Sequence, residues 1–277
     1  MTDAPDLQVV TQIQQQVWSK GDFAKIGTAA QIVQEELCEA VDVLPGRRVL
    51  DVACGGGNGA IAAARRNATA VGLDYVPALL ERGRERAAAE GYDVEFVEGD
   101  AQDLPFEDAS FDYVISTFGA MFAPDQERTA AELLRVCRSG GKIGMANWPP
   151  RGLVGGGLFK TIAEHAPPPP GIQPAVLWGT EDRLRELFGD GVSELTLNER
   201  HLNFRYGSPE QWLAFFREFF GPMMMAFERV GDEGAAALEN DLLAVVRRRI
   251  APAMRRWWRP PSTSRSSPSA PDPASRS

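Results

Sequence analysis

Between Arg47 and about Pro149 the chain alternates short apolar runs with amphipathic stretches. The runs are RRVLDVA, ATAVGLD, VEFVEGD, FDYVIST and GKIGMAN. Between them lie IAAARR, PALLERGRERAAAE and ERTAAELLRVCR, each with apolar residues at helical spacing. Runs that are apolar throughout suit strands covered on both faces. The rhythm therefore predicts βαβ units and an α/β fold, with five parallel strands in a doubly wound sheet between helices.

The flanks follow other patterns. Residues 1 to 45 carry helical periodicity, clearest in QIVQEELCEAVDVL, where Ile32, Val33, Leu37, Val41 and Leu44 fall near one face until Pro45-Gly46 stops the helix. After Pro149 the segments PPRGLVGGG and APPPPGIQP read as loops around one short helix candidate, GLFKTIAEHA. TEDRLRELFGD predicts a helix with Thr180 as its amino-terminal cap, acids in its first turn and Gly189 as its stop. SELTLNERHLNFRYG alternates and predicts a sixth strand, and Ser208 with Gln211 forms a capping box that opens PEQWLAFFREFF. A last helix is expected from about Glu233 to Ile250. The Pro/Ser-rich end beyond Trp257 has no apolar pattern.

Composition narrows the function. With 29 basic against 38 acidic residues and a net charge of -9, no general field draws in nucleic acid or anionic lipid, so small-molecule chemistry is favoured. Cys38, Cys54 and Cys137 form no CxxC pair and stand near no histidine cluster, which gives neither a disulfide framework nor a metal site. No apolar run is long enough for a membrane span, and the acidic amino terminus MTDAPDLQVV is unlike an export signal. The expected compartment is the cytoplasm, and the expected state a monomer or homodimer.

The chemistry concentrates in VLDVACGGGNGA, residues 49 to 60. A strand ending in Asp51 runs into Gly55, Gly56, Gly57 and Gly59 and then a helix, a loop that lets a ligand approach the backbone closely. Asp74 closes the second apolar run, where a carboxylate can accept both hydroxyls of a ribose. Asp100 closes the third, where it can accept from an exocyclic adenine amine. Acids at successive strand ends beside a glycine loop outline a nucleoside site.

These stretches, with EGDAQDLPFEDASFDYVIS and ELLRVCRSGGKIGMANW, resemble the successive motifs of class I S-adenosylmethionine-dependent methyltransferases, and within them the ubiquinone and menaquinone biosynthesis branch. The resemblance covers residues 12 to 150 strongly and the rest loosely. It implies a Rossmann-like sheet of seven strands, with S-adenosylmethionine as cofactor and S-adenosylhomocysteine as product. Asp51 and the backbone around Ala53, Gly55 and Gly57 would hold the methionine part. Asp74 would bind the ribose with Tyr75 beside it, Asp100 and Ala101 the adenine, and Thr117 and Phe118 would border the methyl group. Trp18 and Phe23 would close a lid. The implied organisation is a helical lid (1–45), a cofactor-binding core (46–150), a substrate cap with the end of the fold (151–256) and a tail (257–277).

Methyl transfer from a sulfonium needs alignment and exclusion of water more than a base, so no catalytic residue is assigned. His165, near the cap, is the better placed of the two histidines to meet substrate, and His201 lies in the alternating segment. The acceptor is expected to be a small, mostly apolar organic molecule, with Phe215, Phe216, Phe219, Phe220 and Met223 to Met225 as candidate wall or core residues. Rival readings are an NAD(P)-dependent oxidoreductase, since Gly55, Gly57 and Ala60 also fit G-x-G-x-x-G/A, and a non-catalytic cofactor-binding protein. Only six of the seven strands are accounted for. The Pro/Ser tail, either disordered or a strand translated in a shifted frame, stands where the seventh is expected.

Overall fold

The computed structural model describes residues 5–249. Three helices lead in: α1 (Leu7–Ser19), α2 (Phe23–Ala29) and α3 (Gln31–Ala40). The core follows as β1 (Arg48–Val52), α4 (Asn58–Arg65), β2 (Thr69–Asp74), α5 (Pro77–Glu90), β3 (Val94–Glu98), β4 (Phe111–Thr117), α6 (Gln126–Val136) and β5 (Cys137–Ala146). Beyond it lie α7 (Lys160–His165), α8 (Glu181–Phe188), α9 (Pro209–Phe219) and α10 (Gly221–Arg249).

The five predicted strands all form, all parallel, in the order β3-β2-β1-β4-β5. The chain works outward from β1 to β3 and then returns to the far side of β1 as β4. The connections that follow β1 and β4 thus lead on to opposite halves of the sheet and leave a crevice at the carboxyl ends of the strands. Val49, Leu50 and Val52 of β1 are wholly buried, as are Ala60, Ile61, Ala62 and Ala63 of α4. The small alanines let that helix sit close against the sheet.

One face of the sheet packs Leu50, Phe111 and Leu133 against Trp178 and Phe188 from the carboxyl-terminal half. The other packs Val49, Ala63 and Tyr113 against Cys38 of α3. A separate cluster joins Trp212 and Phe216 of α9 to Met223, Leu238 and Leu242 of α10 and forms the cap.

Several expectations change. The inward stripe of α3 is Gln34 and Cys38, continuing to Val41, while Ile32 is 60% and Leu44 43% exposed. Ion pairs accompany that orientation on the outer side: Glu35 binds Arg65 of α4 and Arg66 just after it, and Glu39 binds Arg66. The same helix packs on α4 and β5, so only the first part of residues 1–45 lies over the strand ends.

The sixth strand is absent among the described residues, because 193–207 forms no ladder. Its alternation is used in packing instead: Leu195 meets the sheet core, and Phe204 and Tyr206 meet the cap. The last helix forms as expected in the part of α10 that follows the break at Gly231, where φ is 63°, and the unexpected part is the helical stretch from Gly221 that precedes the break. Thr180 and Ser208 cap α8 and α9 as their spacing predicts. The helix end at Ile250, the seventh strand and the tail lie outside the described residues.

Candidate functional site

The loop from β1 to α4 is a folded cradle. Ala53, Gly55 and Gly57 have positive φ of 53°, 54° and 75°. Asp51 is buried beneath the loop and accepts from the Ala60 amide at 2.9 Å. A Cβ on Gly59 would fall 2.6 Å from an Asp51 oxygen, so only glycine lets the first turn of α4 descend onto that carboxylate. Asp51 therefore shapes the loop from behind. Neither it nor Gly57 lines the cavity in front.

That cavity encloses about 620 Å³, open solvent included, at the carboxyl ends of β1 to β4. Ala53, Gly55, Asp74, Tyr75, Asp100, Ala101 and Phe118, all sequence-predicted site residues, line it. Asp74 accepts from the Gly55 amide at 2.8 Å through one oxygen and from the Val76 amide at 2.9 Å through the other. Asp74 lines the cavity, and a carboxylate has acceptor capacity beyond these amide bonds, as a vicinal diol requires. Burial pushes the Asp74 carboxyl up to about 6, opposed by those amides. Burial likewise pushes Asp51 up to about 7, with the charge of Asp74 adding to it.

Gln102 organises the opposite wall and was not anticipated from the sequence. Its Nε2 donates to both Asp100 oxygens, at 3.1 and 3.0 Å, and to Thr11 Oγ1 of α1 at 3.0 Å. Its Oε1 accepts from the Asp125 amide at the start of α6, at 2.9 Å. One buried amide thus ties the acid at the end of β3 to a helix of the lid and a helix of the core. A second tie runs from Gln15 of α1 to the Tyr75 carbonyl. The available signal was the apolar-to-polar change within GDAQDLP, which marks a strand end but not the partner of its glutamine.

Trp18 and Phe23, the expected lid aromatics, meet edge to face at 5.2 Å. Both line the first cavity and also a second one of about 720 Å³. The two cavities adjoin through Ala53, Gly55, Phe118 and Phe122 as well. The second is walled by Trp148, Phe204, Phe216 and Phe220, with Gln34, Asn58 and Thr117 as its polar side chains. Thr117 therefore borders the second cavity, and its buried hydroxyl has no hydrogen-bond partner among the described residues. No histidine, carboxylate or basic side chain lines this second cavity. His165 instead pairs with Asp241 of α10 at 2.8 Å, and His201 is exposed as its alternating segment suggested, so neither histidine lines either cavity.

Two residues at the strand ends hold unfavourable backbones. Ala53 after β1 and Phe118 after β4 both have φ of 53°. A Cβ on Gly119 would fall 2.5 Å from the Ala53 carbonyl oxygen, so the two loops are pressed together at the point where the cavities join. Strain of this kind persists where surrounding packing fixes a functional geometry.

A family profile described as "Methyltransferase domain" matches residues 49–141. The uncharacterized protein Rv1403c of Mycobacterium tuberculosis is 37% identical over 261 residues, which cover 92% of this chain and 95% of that one. A demethylmenaquinone methyltransferase of Deinococcus radiodurans is 40% identical over 126 residues, 44% of this chain and 52% of its own. Among solved structures, the [4+2]-cyclase SpnF aligns with a TM-score of 0.52 at 21% identity, over 79% of this chain and 74% of that one, a likeness of fold.

Proposed function

Since the chain belongs to the class I S-adenosylmethionine-dependent methyltransferases, in one family with Rv1403c, we propose that its first cavity holds the cofactor and its second a small, largely apolar acceptor. The observation that carries this reading is a single wall. Asp74 and Asp100, at the ends of β2 and β3, face one cavity, which opens past Phe118 into an aromatic one.

S-adenosylmethionine supplies an electrophilic methyl group on a sulfonium. The chain's part is to bind, align and exclude water. Asp74 accepts from the two ribose hydroxyls, and its own bond to the Gly55 amide keeps the glycine loop in register with that contact. Asp100, held by Gln102, faces the adenine edge beside Ala101. The backbone at Ala53 and Gly55 cradles the methionine portion, and Tyr75 closes the ribose side. Trp18, Phe23, Phe118 and Phe122 surround the junction with aromatic faces, which attract a cation electrostatically and keep water out.

In-line displacement then depends on how the second cavity orients the acceptor, since alignment is the main contribution a protein makes to such a step. The free thiols Cys38, Cys54 and Cys137 support a reducing compartment, which we take to be the cytoplasm. Among the described residues no helix is long and apolar enough to cross a membrane. The test is incubation with methyl-labelled S-adenosylmethionine and a panel of phenols, enols, amines and thiols. Label is expected in an apolar acceptor, and label in none of them, with cofactor bound, would count against the acceptor assignment.

A further inference from the structure

Among the polar side chains of the second cavity, Asn58 is the one whose orientation a charged neighbour fixes. Asn58, the first residue of α4, is 6% exposed and lines that cavity. Its Oδ1 accepts from Arg86 of α5, whose same nitrogen donates to the Gly56 carbonyl at 2.7 Å. That contact fixes the amide, because the end facing the guanidinium must be the oxygen. Nδ2 is left pointing away from Arg86, and among the described residues it has no acceptor. Gly27 of α2, which also lines the cavity, keeps it uncovered, since a Cβ there would fall 2.9 Å from Nδ2. Arg86 is half-buried and, being a guanidinium, stays charged.

A polarised N–H donor backed by a half-buried cation, in a cavity walled mainly by aromatic and aliphatic side chains with the Thr117 hydroxyl as a further polar group, suits one kind of ligand group best. It is an oxygen carrying negative charge on a flat apolar skeleton. We propose that the acceptor is a phenol or enol whose ionised oxygen is held by Asn58 Nδ2, with Arg86 as the positioning residue behind it. This rests on the first cavity holding S-adenosylmethionine.

With no carboxylate or imidazole lining the second cavity, the acceptor's hydroxyl proton is lost to bulk water and the oxyanion binds opposite the sulfonium. An electron pair of the oxyanion, on the oxygen or on the carbon conjugated to it, forms the new bond to the methyl carbon. The sulfur–methyl bond breaks and its pair returns to sulfur. A cation and an anion thus give two neutral products, and no further reagent is needed. Primary amines and thioethers offer no oxyanion and gain nothing from Asn58.

The experiment uses the full chain, methyl-labelled S-adenosylmethionine and three matched sets of probes: mono- and bicyclic phenols, the corresponding amines, and the methyl ethers of the phenols. Label is expected in phenols alone. Asn58→Ala should lower kcat/KM for the best phenol by about 10- to 100-fold, the loss of one hydrogen bond to a charged group, while S-adenosylhomocysteine affinity stays within about twofold. Gly27→Ala should block the same acceptors by covering Nδ2. In the unaltered enzyme kcat/KM should rise with pH up to the free acceptor's own pKa, which no substitution moves, whereas the kcat profile, which reports the bound acceptor, should have its midpoint below that pKa, and Arg86→Gln should move this second midpoint upward, a shift that a purely structural role would not cause.

Equal labelling of amines, or no labelled phenol in a chain that binds S-adenosylhomocysteine, would overturn the proposal and leave the cofactor reading standing. So would an Asn58→Ala enzyme with unaltered kinetics. If Asn58→Ala fails to bind S-adenosylhomocysteine, the probe preference and pH profile of the unaltered chain decide. Failure of the unaltered chain to bind S-adenosylhomocysteine would overturn the cofactor reading itself.

Discussion

Phe118 lies flat on Trp148, their ring centroids 3.9 Å apart and their planes within 9° of parallel. The stack joins the residue after β4 to the residue that follows β5 by two positions, and it faces the aromatic cavity. It also holds Phe118 at its φ of 53°, a backbone state that costs a residue with a Cβ about 1–3 kcal/mol. Trp148→Ala removes the support. Expected are a loss of about 2–4 kcal/mol in thermal or chemical unfolding and a KM for acceptor raised at least tenfold, with S-adenosylhomocysteine affinity changed far less. Paired calorimetry and kinetics on this variant check the split.

Gln102 bonds Asp100, Thr11 and the Asp125 amide with one side chain, so its loss should release the lid and the acid together. Gln102→Leu is expected to weaken S-adenosylhomocysteine binding by about tenfold or more, the scale of one or two hydrogen bonds that involve a charged partner. Amide exchange across Leu7–Ser19 should speed up in the same variant. Thr11→Val removes only the lid contact, so it should reproduce the faster exchange with a smaller loss of affinity.

Stability should depend on pH in an unusual direction. In the folded chain burial raises Asp51 to about 7 and Asp74 to about 6, whereas in the unfolded chain both titrate near the ordinary value of about 3.9. Between those values the folded state binds protons that the unfolded state has released, so these two groups make stability fall as pH rises from about 4 to about 7. Glu35, Glu132 and Asp112, lowered in the folded chain, act oppositely, and their contribution is lost only as pH falls below the usual carboxylate range. The free protein should therefore melt higher near pH 5 than near pH 8, and Asp51→Asn should flatten that slope. S-adenosylhomocysteine should bind more tightly as pH rises through about 6, because ionised Asp74 offers the ribose its full acceptor set.

His165 bonds Asp241 and lines neither cavity. His165→Ala should retain methyl transfer within about twofold while loosening the contact between α7 and α10, measurable as a small drop in melting temperature.

What was legible in the sequence was the part governed by short-range pattern. The runs VLDV, TAVGLD and FDYVIST are apolar on both faces because their strands lie between helices, and of the two acids Asp74 ends β2 while Asp100 follows β3 by two residues. Ala53, Gly55, Tyr75, Ala101 and Phe118 meet them in one cavity. Less legible was anything decided by a distant partner. The face of α3 that turns inward is set by what Cys38 and Val41 meet on the sheet, and ion pairs to Arg65 and Arg66 lie beside it. The alternating segment 193–207 satisfies its pattern by packing without a ladder. Asp51 looked like a ligand contact, but its bond to the Ala60 amide turns it behind the loop. Gln102 and Asn58 draw their significance from side chains brought beside them only by folding.

The most direct test is isothermal titration with S-adenosylhomocysteine and, separately, with NADH, on the unaltered chain and on Asp74→Ala. One S-adenosylhomocysteine per chain is expected, with no heat from NADH and an affinity at least tenfold weaker in Asp74→Ala. Binding of NADH without S-adenosylhomocysteine, or S-adenosylhomocysteine binding indifferent to Asp74, would contradict the site described.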